Sequence, residues 1–96
     1  MNGTSHEEAC AQVTDSLQRM GETAARRIMG RTVADLLEPD AMTALVNDEC
    51  AWLKRYFIDH GTSENDAMIA HDIYRAAIIK EGKRIAIGLG TQVGHA

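Results

Sequence analysis

The chain has 96 residues, 14 acids against 10 bases and a formal net charge of −4. That is the size of one domain, and an acidic one, which argues against a nucleic-acid coat with its basic surplus. No apolar stretch approaches the roughly 18 residues that a bilayer span needs.

The opening MNGTSHEEAC has neither the basic start nor the apolar core of a secretory signal, so none is expected. Cys10 and Cys50 are too few and too far apart for a disulfide framework or a zinc knuckle. A cytoplasmic chain with both thiols reduced is the expectation, with the profile of a bacterial or phage accessory protein. A domain this small buries only roughly 60–70% of its unfolded surface, so a partner or a second copy is expected to complete its core. Alanine, leucine, isoleucine and methionine dominate the apolar set, which favours helices over strands.

Thr4 and Ser5 each precede a glutamate by three positions, Glu7 and Glu8, the spacing of a capping box. From there Cys10, Val13, Leu17, Met20, Ala24 and Ile28 recur at steps of three and four. They predict one helix with a narrow apolar stripe. Gly21 lies inside it and marks an expected soft point or bend. Gly30 is expected to end it. Thr32 with Asp35 reads as a second capping box opening a short connector, VADLL.

Pro39 suits the first turn of a helix and disfavours helix in the residue before it. A second helix is therefore predicted from about Pro39, with Met42, Val46, Cys50, Leu53 and Phe57 on its main stripe. Leu45, Trp52 and Tyr56 widen that stripe. His60-Gly61 supplies a left-handed stop.

Thr62 and Ser63 precede a third helix whose first turn holds Glu64 and Asp66. Its apolar residues fall on two lines: Ile69, Ile73, Ala76 and Ile87, and then Ala70, Tyr74, Ala77, Ile78, Ile85 and Leu89. A helix apolar over most of its circumference is buried on several sides. A symmetric second copy is the simplest extra neighbour. Residues 1–4 are expected as a flexible start, 5–90 as one helical domain and 91–96 as a tail.

The run KRIAIGLGTQVGHA ends in glycines that resemble a nucleotide-binding turn. The dinucleotide fingerprint needs a strand before those glycines and a helix after them. Here the spacing is Gly88, Gly90, Gly94, one residue too long, and only His95 and Ala96 follow. Nucleotide binding by this turn is rejected. Gly82, Ala86 and Gly90 are read instead as keeping a helix face flat, against a competing reading of KRIAIGL as a short strand.

His6 and Cys10 share a helix face, but HEEAC is not HExxH and no further ligand is placed, so no metal and no cofactor is expected. Cys10 and Cys50 fall on apolar stripes and are expected to be buried. The basic residues Arg26, Arg27, Arg31, Lys54 and Arg55 sit late in acidic-starting helices. That arrangement complements the helix dipole and suits antiparallel neighbours. GETAARRIMGRTVADLL has a helix-turn-helix outline, but VADLLE presents no base-reading side chain.

The expected fold is all-α: a small three-helix antiparallel bundle or helical hairpin with a short connecting helix, closing as a homodimer or higher oligomer. No nucleophile, base and orienter occur together, so no enzyme is expected. The expected function is a non-catalytic adaptor, inhibitor or regulator that binds another protein, with Met29, Trp52 and Tyr56 as candidate anchors. One alternative is an oligomeric sensor or sequestering protein holding an anionic, nucleotide-like ligand between subunits near Tyr74, Lys80, Lys83 and Arg84. Another is a helix-turn-helix-like DNA-binding regulator. Nucleic acid and membrane are not expected partners.

Overall fold

The computed structural model describes residues 6–36 and 38–94, with side chains for 8–36 and 38–88. The capping box expected at Thr4 and Ser5, and residues 1–4 as a flexible start, lie outside the described residues. Three helices follow in order: α1 (His6–Asp35), α2 (Pro39–Asp59) and α3 (Glu64–Gly94). The described residues contain no strand, so KRIAIGL is helical. Gly88 and Gly90 sit inside α3, which removes the strand-turn-helix that a phosphate turn requires. The helix continues to Gly94, through residues 91–94 of the segment read as a tail.

α1 does not stop at Gly30, and residues 33–35 of VADLL continue it instead of opening a separate element. One interior glycine costs only about 1 kcal/mol, too little to end a helix anchored by packing. Thr32 caps nothing: its hydroxyl donates to the carbonyl of Ile28 at 2.7 Å, inside the same helix. The chain turns instead at Leu36, whose φ is +52°. Glu38 is extended and Pro39 occupies the first turn of α2, as its fixed φ favours.

The stop after α2 is built from two backbone bonds. Thr62 N–H donates to the Phe57 carbonyl at 2.9 Å and Gly61 N–H to the Ile58 carbonyl at 3.1 Å. Gly61 holds φ at +94°, which a side chain would resist. Ser63 then caps α3, its Oγ accepting from Asp66 N–H at 3.2 Å.

The helices run up, down and up. Tyr74 meets Glu49 and Arg75 meets Asn47, so α2 is antiparallel to α3. Gly21 lies against Ala77 and Arg26 reaches Glu81, so α1 runs parallel to α3. The larger share of the packing is in this parallel pair; α1 and α2 meet each other only lightly. Leu17, Ala24, Ala25, Ile28, Cys50, Leu53, Ala70, Tyr74 and Ile78 form the core. Burying a leucine such as Leu53 contributes about 1.5–3 kcal/mol.

Gly21 is a packing point and not the soft spot its sequence context suggests. A Cβ placed there would lie 2.6 Å from the Cβ of Ala77 and 3.0 Å from the Tyr74 carbonyl oxygen. Small residues on both helices let the two backbones approach. The extents are 58 × 27 × 15 Å and the radius of gyration is 16.0 Å. A compact chain of this length would give about 12–13 Å. The fold is a rod with a thin core.

The two apolar lines of α3 differ in burial, with Ile73 and Ile85 half-buried and Ile73 packed against the core. Ala70, Tyr74, Ala77 and Ile78 are buried. On the other line Ile69 is 52% exposed and Ile87 69% exposed. Cys50 is buried as expected, and burial pushes its thiol pKa up. Cys10 is exposed, a correction to its reading as a buried stripe residue, because the buried stripe of α1 begins only at Leu17.

Candidate interaction groove

Because α1 and α2 both rest on α3 and scarcely touch, a groove of about 830 Å³ runs between them. Ile28 and Tyr74 floor it, and both are buried. Its α1 wall carries Arg19, Arg27 and Arg31; its α2 wall carries Leu45, Asp48, Glu49 and Trp52. The walls therefore differ in sign, basic on one side and acidic on the other. Arg19 and Arg31 are tied within α1 to Asp15 at 3.0 Å and Asp35 at 3.4 Å. These are exposed pairs, worth about 0–1 kcal/mol each and readily exchanged for another anion.

Glu49 ties the walls to the floor. One of its oxygens pairs with Arg27, and the other accepts from the Tyr74 hydroxyl at 3.1 Å. The Tyr74 phenol is pushed up to about 12, by burial first and then by the Glu49 charge beside it. Tyr74 is thus a neutral hydrogen-bond donor holding the cleft's shape.

Trp52 is 54% exposed and Tyr56 46% exposed. Their ring centroids lie 5.7 Å apart, and Tyr56 stacks on His60 at 4.1 Å. The spacing of four makes this a ladder along one face of α2. His60 is held by its Nδ1, 2.8 Å from the Tyr56 carbonyl oxygen. Met20, 42% exposed, stands across the groove on α1. Large aromatic rings left in solvent beside an apolar floor are characteristic of contact surfaces. The chain matches no family model, no curated protein and no solved structure.

Of the three candidate anchors, the structure brings Trp52 and Tyr56 together. Met29 is half-buried in a different groove of about 310 Å³, beside Met42, Val46 and Ile79. The four residues considered for an anion do not converge. Tyr74 lies under the α1–α2 groove. Arg84 is held by Glu81 at 2.7 and 2.8 Å. Lys80 lines a cleft between α1 and α3, whereas Lys83 lines the groove that contains Met29.

Glu81 accepts from Arg84 and also from Arg26 at 3.3 Å. The hydrogen bond from Arg84 is the main reason its carboxyl sits at about 2; its own burial opposes that, and the charges of both arginines add to it. This arginine–glutamate–arginine cluster ties α1 to α3. It was not legible beforehand because it depends on the parallel register of two distant segments.

Met20, Arg19, Asp48 and Glu49 were also missed as site residues. The available signal was Met20 at the edge of the α1 stripe and two adjacent acids in α2. Among the described residues no group of three or more His, Cys, Asp or Glu could hold a metal ion. The side chain of His6 lies outside them. Among the described residues no helix is long and apolar enough to cross a membrane.

Proposed function

We propose that this chain is a small non-catalytic adaptor, inhibitor or regulator that binds an amphipathic helix of another protein in the α1–α2 groove. Solvent-facing Trp52, which lines an apolar-floored cleft and lies 5.7 Å from the exposed ring of Tyr56, carries this reading. A helix laid between two helices that meet only lightly would complete a four-helix arrangement. The wall charges specify its chemistry: an apolar seam, with acids on the edge that faces Arg19 and Arg31 and bases on the edge that faces Asp48. Trp52 and Tyr56 would be its main anchors, since aromatic residues dominate such contacts.

The test is affinity capture from the native source with the intact chain and with a Trp52→Ala, Tyr56→Ala double variant. A partner bound by the wild type should be lost by the double variant, weakened about 30-fold or more. Helicity and thermal midpoint should hardly change. Its contact segment, made as a peptide, should shift the Trp52 emission to the blue. A double variant that retains the partner at full affinity, or one that simply unfolds, would refute the assignment.

A further inference from the structure

We infer that the outward face of α3 is a two-fold interface, on which a second copy of this chain packs its own α3 antiparallel. This inference is independent of the groove reading.

Ile69, Ile73, Ala76, Lys80, Lys83 and Ile87 follow one another at steps of four, three, four, three and four. That is the seam spacing of a coiled coil. Within the chain this seam is open at both ends and bordered by α1 on one flank: Ile69 and Ile87 are the most exposed isoleucines and Ala76 is exposed, while Ile73 packs half-buried against the core and shares a cleft with α1. The seam spans about 27 Å of helix axis.

The order of residues along the seam selects both the occupant and its direction. Turning the seam end for end about a two-fold axis near position 78 places Ile69 opposite the partner's Ile87, and Ile87 opposite the partner's Ile69. The same operation sets Ala76 level with Lys80 and Ile73 level with Lys83, so each lysine stem crosses a small or apolar neighbour. Asp72, whose side chain is 67% exposed, lies beside the seam. On that flank Lys83 of the second copy falls level with it to within one residue, twice by symmetry.

A parallel pairing would instead set Lys80 beside Lys80 and Lys83 beside Lys83 within the seam. Charge complementarity thus chooses the antiparallel mate, and the face complements itself as a two-fold contact requires. Lysines inside such a seam cost stability but fix register.

Sedimentation velocity of the full chain across a wide concentration range tests this. A monomer–dimer equilibrium is expected. Ile87→Glu should raise the dissociation constant by about tenfold or more, with helicity unchanged because Ile87 is exposed in the single chain. Asp72→Lys and Lys83→Asp should each weaken the dimer, and the chain carrying both should recover it. Trp52→Ala should leave it intact. A wild type that stays monomeric up to about 1 mM, a dissociation constant worth only about 4 kcal/mol, overturns the inference. So does a dimer indifferent to Ile87→Glu, or a double charge reversal that fails to restore pairing.

Discussion

The two flanks of α1 are packed in opposite ways. Against α3, small residues bring backbones so close that a methyl group at Gly21 would overlap Ala77. Against α2, the side chains stop short and leave the groove floored by Ile28 and Tyr74. A thin core in a 96-residue chain does not allow three full interfaces. The chain concentrates its packing in one parallel seam and leaves the other flank to charged and aromatic side chains. Close packing and an open, charged surface thereby sit on opposite sides of the same helix.

The most severe way to break this contrast is to insert bulk at the seam. Gly21→Leu should abolish cooperative unfolding, and Gly21→Ala should cost about 1–3 kcal/mol, read by chemical denaturation. Gly82→Ala is the matching control, because a Cβ at Gly82 meets nothing within 4 Å. There the helix-propensity gain should stabilise by about 0.5–1 kcal/mol. If both glycines respond alike, the seam is not the close contact described.

Tyr74→Phe comes next, with an expected loss of about 1 kcal/mol, since Glu49 keeps Arg27 as a partner. Its pH signature has a definite sign. The folded phenol pKa is raised, so its contribution is full below the ordinary value of 10 and disappears as pH rises through about 12. Absorbance of the ionised phenol should show one late-titrating tyrosine, absent in the variant.

Glu81 behaves in the opposite sense and more weakly, because its arginines are largely exposed. Its folded pKa is depressed, so stability from this cluster is present above the ordinary 4.5 and is lost as pH falls through about 2. Thermal midpoints measured across that window should fall less steeply in Glu81→Gln. The smallest effect on folding is expected at the groove lip, where Trp52→Ala should lie within about 0.5 kcal/mol of the wild type. A larger loss by denaturation would make Trp52 a folding contact, against the proposed role as an anchor.

Local features of the sequence were readable in advance where their chemistry is local. Pro39, Gly61 and Ser63 mark helix ends through φ or a cap, and each stands where expected. The two lines of α3 were visible as a pattern, although only the fold shows which line is covered. Glycine was the recurrent source of error. Gly30 and Gly21 look alike in sequence, yet one is a tolerated interior residue and the other a close approach, and only the neighbour across the seam distinguishes them. The groove was half legible. Trp52 and Tyr56 were recognisable as candidates, but Tyr74 was grouped with Lys80 and Arg84 although its hydroxyl faces Glu49. That assignment depends on rotation and register between distant helices, which spacing along one helix does not encode.

The parallel course of α1 and α3 has a practical consequence at the poles of the rod. The first turns of α1 and the last turns of α3 lie at opposite extremes of a particle 58 Å long. Dyes attached at Glu8 and Gly88 would form a long molecular ruler. Such a pair would register fraying of either extremity as a change in energy transfer while the middle of the particle stays silent.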